Sequence, residues 1–237
     1  MRYCGVVPMQ GRLQMAMLEE VRTPEPPIRL SAVFYDPGSA AQVAAELNSL
    51  GETIVGVGAP LSLPAEGEDG RECDHLLAAR GVAPQPASRE VLRLSELLHD
   101  FEPFAPDSRD LPEGGVGEGA YHHHPLFETN ADGVFCALQG RRLPARRHPL
   151  GLQLRIEELA GDHVIDDGGD LWHRRSEELD AAACALCAHR YAVGHACWQG
   201  DPEEGVVVLP GSSLPAQFSS EGVLPPVERL RLPAVAE

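Results

Sequence analysis

Thr53-Ile-Val-Gly-Val57 is a short apolar run with no charged residue, closed off by Gly51 before it and Pro60 after it. A strand that is apolar on both faces must be covered on both sides, which points to a sheet carrying helices above and below. The preceding residues narrow the choice. Tyr3–Val7 and Leu13–Val21 are apolar runs separated by the turn signal Gln10-Gly11. Ile28–Tyr35 follows, with Leu30, Ala32 and Phe34 alternating against Ser31 and Tyr35. Three strands so closely spaced predict an antiparallel meander. Asp36-Pro37-Gly38-Ser39 then breaks the chain, and Ser39 is placed to cap a helix over Ala40–Leu50 with Val43, Leu47 and Leu50 on one face. Meander, helix and buried strand together predict an α/β fold with a mixed sheet.

The 237 residues, 43 % hydrophobic, are expected to form a single domain over 1–237. The stretch from about 61 to 119 is rich in Pro, Gly and acids and reads as an insertion with short helices at Asp74–Arg80 and Ser88–Leu98. Beyond it, Leu126–Glu128 reads as a strand, Asp132–Gln139 and Gly151–Ala160 as helices, Ser176–Cys197 as the longest helix and Gly205–Leu209 as a last strand. The tail from about 211 to 237 is Pro-rich. There is no apolar run long enough for a membrane span and no export signal, so the cytoplasm is the expected compartment and the six cysteines are expected as thiols.

Charge excludes whole classes of chemistry. The chain has 36 acidic and 19 basic residues, a net charge of −17, and every basic residue is Arg. Without lysine there is no Walker lysine, no Schiff base and no Ser-Lys dyad. The negative field disfavours a broad grip on nucleic acid, because phosphate binding needs a positive surface. Against that background Arg141, Arg142, Arg146 and Arg147 stand out as a candidate anion-binding patch, to which Arg155 and Arg174-Arg175 could add.

Other motifs are weaker. Cys184 and Cys187, with His189, His195 and Cys197 nearby, have zinc-ligand chemistry, but they fall in an Ala-rich helical pattern where Cys packs as a small hydrophobe. His122-His123-His124 reads as an exposed segment. Asp162, Asp166, Asp167 and Asp170 read as a solvated acidic loop, since their spacing does not fit a calcium loop. Gly56-Val57-Gly58 lacks the third glycine of a dinucleotide fingerprint.

Several segments, taken in order, match a known pattern. They are Gly5-Val6-Val7, Val57-Gly58-Ala59-Pro60-Leu61, Gly70-Arg71-Glu72-Cys73-Asp74, Phe127-Glu128, Leu143-Pro144-Ala145-Arg146-Arg147 with Gly151 to Arg155, Glu177-Glu178-Leu179-Asp180-Ala181-Ala182, and Gly200-Asp201-Pro202-Glu203-Glu204-Gly205 with Val208-Leu209-Pro210. Over about residues 3–210 this order resembles domain of unknown function family 429, regarded as predicted nucleases of the ribonuclease-H-like superfamily. The resemblance implies a ribonuclease-H-like mixed sheet with flanking helices. It also implies phosphodiester hydrolysis by two Mg²⁺ or Mn²⁺ ions about 3.5–4 Å apart, held by carboxylates.

Carried over residue by residue, the implied metal and catalytic set keeps Glu128 and Asp180. Val7 and Gly58 stand where the family has Asp, and neither has a ligating side chain. Three readings follow: a metal-dependent nuclease using Glu128 and Asp180; a non-catalytic descendant binding an anion or partner through Arg141–Arg147; and a zinc protein using Cys184 and Cys187. In the second, Glu128 and Asp180 survive as partners of nearby arginines. A catalytic pair would face each other across a cleft with a third carboxylate within about 4–6 Å. Apolar atoms from Val7 and Gly58 at that place would mark a lost site. Substrate and oligomeric state are not legible.

Overall fold

In the computed structural model the described residues are 1–26, 28–101, 103–104 and 126–220. The strands are β1 (Arg2–Met9), β2 (Arg12–Arg22), β3 (Ile28–Phe34), β4 (Thr53–Val57), β5 (Leu126–Glu128), β6 (Val164–Asp166), β7 (Ala196–Gln199) and β8 (Val207–Pro210). The helices are α1 (Ala40–Ser49), α2 (Glu72–Ala79), α3 (Arg89–Leu97), α4 (Ala131–Gln139), α5 (Pro149–Gly161) and α6 (Ser176–Ala192). One eight-stranded mixed sheet runs β6-β3-β2-β1-β4-β5-β8-β7. β1, β2 and β3 form the antiparallel meander, while β4 pairs parallel to β1 and β5 parallel to β4. The protein is therefore α/β. Among the described residues no helix is long and apolar enough to cross a membrane.

The two faces of the sheet follow from strand alternation. Cys4, Val6, Val55 and Val57 join one buried cluster with Val43 and Leu47 of α1 and Val91 and Leu94 of α3. Tyr3, Val7, Ile54 and Phe127 join the other with α4, α5 and α6. The α1 terminus forms as the sequence predicts: the Ser39 hydroxyl accepts from the Gln42 N–H, and the Gln42 side chain accepts from the Ser39 N–H.

α6 is the central covering element, and its small side chains explain how close it comes. Gly5 and Gly56 are direct neighbours on β1 and β4. A β-carbon on Gly5 would lie 1.9 Å from the Ala181 carbonyl oxygen, and one on Gly56 2.6 Å from that of Cys184. The helix backbone rests on the sheet backbone, and Ala181-Ala182-Ala183-Cys184-Ala185 is the run that permits it.

Two readings of the sequence are corrected. The last long helix ends at Ala192, not at Cys197. Gly194 takes a left-handed backbone (φ +75°), and Ala196–Gln199 turns back as β7 beside β8. The supposed acidic loop contains β6, which extends the sheet beyond β3. Asp166 there is no solvated acid. Its side chain is buried and accepts from Arg174 Nε and Nη2 at 2.6 and 2.8 Å. His122-His123-His124 and the loop 112–119 lie outside the described residues.

Candidate functional site

The segments of the resemblance converge on two separate charge clusters. The first lies where β5 ends. Arg71, just ahead of α2, donates from Nη1 to Glu128 Oε2 and from Nη2 to Glu128 Oε1, both at 2.6 Å. Its Nε and Nη2 reach the two oxygens of Asp74 at 3.0 and 3.1 Å. The Leu61 N–H donates to Glu128 Oε2 at 3.1 Å, and Arg71 Nη1 also reaches Ser62 Oγ at 3.2 Å. Ser62 Oγ donates to the Glu204 carbonyl and the Glu72 N–H to the Glu204 carboxylate, which fastens the 200–205 loop to the same place. The Arg71 side chain is 0 % exposed and that of Glu128 6 %. Burial opposes the charge on Arg71, but its bonds to Glu128 and Asp74 outweigh this and hold the guanidinium protonated.

Cys73, Asp74 and Glu128 each offer one ligand atom within 4.8 Å of the others, the one such group of three among the described residues. It does not suit a divalent ion. Both carboxylates already neutralise a guanidinium that has no route to water. Burial pushes the Cys73 thiol up to about 12, against the pull of Arg71, so the sulfur carries a proton. A metal would have to displace Arg71 and leave a buried cation unpaired.

The second cluster surrounds α6. Asp180 is 3 % exposed. Its Oδ2 accepts from Arg146 Nη1 at 2.8 Å, while Oδ1 is buried with no hydrogen-bond partner among the described residues. Burial and the nearby Asp132 push its carboxyl up to about 6, although Arg146 and Arg155 pull it down. Asp132 is taken by Arg155 Nη2. One helical turn beyond Asp180, Cys184 occupies the position toward which Val7 and Gly58 face. A β-carbon on Gly58 would lie 2.7 Å from Val7 Cγ1 and 2.8 Å from Cys184 Sγ. Val7, Gly58 and Cys184 thus bring a valine, a glycine and a thiol to this place, and burial raises the thiol well above its ordinary pKa.

Glu128 and Asp180 therefore belong to different clusters. Each is held by its own arginine, and no hydrogen bond or ion pair joins them. Mg²⁺ or Mn²⁺ does not fit either one. Asp132 supplies a second carboxylate near Asp180, but with Arg146 and Arg155 the group is already neutral.

The arginine patch divides in the same way. Arg155 is 2 % exposed and lies over the Phe135 ring. Besides Asp132 it donates to the Pro144 and Gly151 carbonyls at 3.0 and 2.9 Å, so it is a fastener of α5 rather than a ligand group. Arg146 is bound to Asp180, and among the described residues the Arg141 side chain reaches only Gln139 Oε1, at 3.4 Å. Arg142 and Arg147 are exposed and have no acidic partner among the described residues. Arg174 and Arg175 both pair with Glu178, and Arg174 also with Asp166.

Cys184 and Cys187 are fully buried. Cys187 Sγ approaches the Val208 carbonyl at 3.5 Å, and burial pushes its thiol up to about 12. His189 packs edge-on to Tyr3 and faces Glu20. The pair packs as small apolar side chains, and neither joins a metal-sized group of ligands among the described residues. Arg71 is central to the first cluster, yet little in the sequence marks it. Its signal was composition: one arginine in a motif otherwise rich in acids. Comparison with protein-family models, with curated proteins and with solved structures found no match.

Proposed function

We propose that this chain is a ribonuclease-H-like protein that has lost metal-dependent phosphodiester hydrolysis and acts by binding an anionic partner through Arg142 and Arg147, two exposed arginines of the 141–147 patch without an acidic partner among the described residues. The strand order β3-β2-β1-β4-β5, antiparallel in its first three members and parallel thereafter, supports the ribonuclease-H-like reading, as does the placement of α1 and α6 on opposite faces. The observation that carries the loss of hydrolysis is the Arg71–Glu128 contact. Both oxygens of the one strand carboxylate kept from the implied site are spent on a buried guanidinium. Two-ion hydrolysis needs several converging carboxylate oxygens, and Val7 and Gly58 contribute none.

Calorimetric titration with Mn²⁺ and with Mg²⁺ into the millimolar range tests the first half. No binding heat, and no metal-dependent cleavage of single-stranded or duplex oligonucleotides, is expected. Metal-dependent cleavage that disappears in Asp180→Asn would overturn it. The second half is read with inorganic pyrophosphate as probe. It should raise the melting temperature of the wild-type protein and not that of the Arg142→Ala, Arg147→Ala double variant. An equal response in both, or none in either, removes those arginines from the role.

A further inference from the structure

A cleft of about 470 Å³ separates α2 from β7, the terminal strand of the sheet among the described residues. Glu72, Leu76 and Arg80 line it from successive turns of α2 and its C-cap, and Cys197, Trp198 and Gln199 line it from β7. Side chains of consecutive strand residues point to opposite faces. A cleft that touches all three therefore runs along the outer edge of the strand, beside its backbone. The Gly211 N–H donates to the His195 carbonyl, and Cys197 and Gln199 stand opposite Leu209 and Val207. The alternation of an antiparallel ladder then turns the N–H and C=O of Cys197 and Gln199 toward β8 and those of Trp198 outward. Neither backbone group of Trp198 has a partner among the described residues. An edge of this kind is a template for one more strand.

We propose that the chain's own residues 227–232 close this edge by pairing with β7 as a further strand. Residues 221–237 lie outside the described residues, and their sequence carries a strand signal. In Val227-Glu-Arg-Leu-Arg-Leu232, Leu230 and Leu232 alternate with Arg229 and Arg231. Pro225-Pro226 and Pro233, which cannot donate to a ladder, bound the run. The described chain leaves at the right place. The Phe218 N–H donates to the Arg80 carbonyl at 3.1 Å and the Arg142 N–H to the Ser219 carbonyl at 2.8 Å, so Ser220 stands at the Arg80 end of the cleft. Residues 221–226 can span on the order of 20 Å, more than the roughly 12 Å length of the eight-residue α2. The charges also fall in order. Entered from that end, the cleft offers Arg80 first, to Glu228, and then Glu72, with Glu204 beside it, to Arg229 and Arg231. Gly200 packs against Cys73 at the Glu72 end, so the run lies parallel to β7. Leu76 and Leu214 give an apolar wall for Leu230 and Leu232. The closure guards the sheet edge against other chains, and it does not rest on anion binding by Arg142 and Arg147.

Amide hydrogen exchange followed by NMR on the full chain tests the pairing at its central bond. Successive residues of a strand turn their N–H groups to opposite sides, so Leu230→Pro with Arg231→Pro removes the inward donor in either register. The Trp198 amide should exchange at least tenfold faster in this double variant than in the wild type, while the amides of β1 and β4 keep their rates. Arg229→Glu with Arg231→Glu keeps every backbone amide and reverses the charges facing Glu72, and it should speed Trp198 exchange in the same direction. In the wild type the Trp198 amide proton should show nuclear Overhauser contacts to residues 229–232. Equal Trp198 exchange in the wild type and both variants overturns the proposal, as does a protected Trp198 amide without those contacts. Protection that disappears on dilution, in step with the dissociation of a dimer, assigns the edge to a second copy and overturns it too.

Discussion

Glu128 and Asp180 are both buried carboxylates, and both are paired with arginine, yet their environments are opposites. Around Glu128 two short parallel bonds to Arg71 are joined by a backbone N–H, and Asp74 and Ser62 take the remaining donors of the guanidinium. Asp180 has one bond to a half-exposed arginine and leaves an oxygen bare, with a second acid nearby. The comparison teaches that burial alone says little about a carboxylate's role. A satisfied pair is a fastener whose removal breaks the fold locally, whereas an under-satisfied one is a strain the fold tolerates.

The largest expected effect comes from placing an acid against Cys184, one helical turn from Asp180. Gly58→Asp would drive a β-carbon into Val7 and Cys184 and bury a carboxylate among apolar atoms. It should destabilise by about 4 kcal/mol or more in urea denaturation at neutral pH. Mn²⁺ should not restore the loss. A gain of several degrees in melting temperature on adding Mn²⁺ to this variant would break the comparison, because it would mean that the Asp180 region can still assemble a metal site.

Next is Glu128→Gln, which leaves the Arg71 guanidinium buried beside a neutral amide. A loss of roughly 3–5 kcal/mol is expected, the usual cost of breaking a buried pair from one side. The double variant Arg71→Met, Glu128→Leu should lose less than Glu128→Gln alone, since it removes both charges together. If the double variant is the worse of the two, the cluster stabilises through shape and not through charge.

Much of this fold is legible in the sequence, and the residues say why. Residues 3 to 57 announce their strands by alternation and their helix by the Ser39 cap, and β1, β2, β3, α1 and β4 follow closely. β6 is three residues long and exposes Ile165, so no periodic signal betrays it. Ala196-Cys-Trp-Gln199 has no β-branched residue and follows a strong helical pattern, so only Gly194 marks the change to β7. The site is harder still. Glu128 and Asp180 are legible as residues, but their partners are not. Arg71 is 57 positions from Glu128 and Arg146 is 34 from Asp180, and no local spacing encodes either contact.

A smaller and more informative effect is expected at Asp180 itself. Its folded pKa of about 6 lies above the ordinary 3.8, so its proton is held more tightly in the fold. The corresponding stability is fully present below about pH 3.8 and is lost as pH rises through about 6, a swing of about 3 kcal/mol if no other group compensates. Asp180→Asn imitates the protonated form. At pH 8 the variant should be more stable than the wild type by about 1–2 kcal/mol, after allowing for the lost bond to Arg146. Near pH 4 the two should coincide. Urea midpoints at the two pH values decide it, and a loss of 1 kcal/mol or more at pH 8 would make the two carboxylates alike after all.

The smallest effect belongs to Arg146→Gln. The Arg146 side chain is 40 % exposed, so solvent screens its attraction for Asp180, and the direct loss should stay below about 1 kcal/mol. Its signature is electrostatic. Removing this cation takes away a downward pull on Asp180, leaving burial and Asp132 less opposed, so the Asp180 carboxyl should titrate above its wild-type midpoint. Carbon-detected NMR titration of the aspartate carboxyls reads that midpoint directly. An upward displacement with little change in urea midpoint is the expected pattern. A large fall in stability without displacement would assign Arg146 a packing role and return Asp180 to the same class as Glu128.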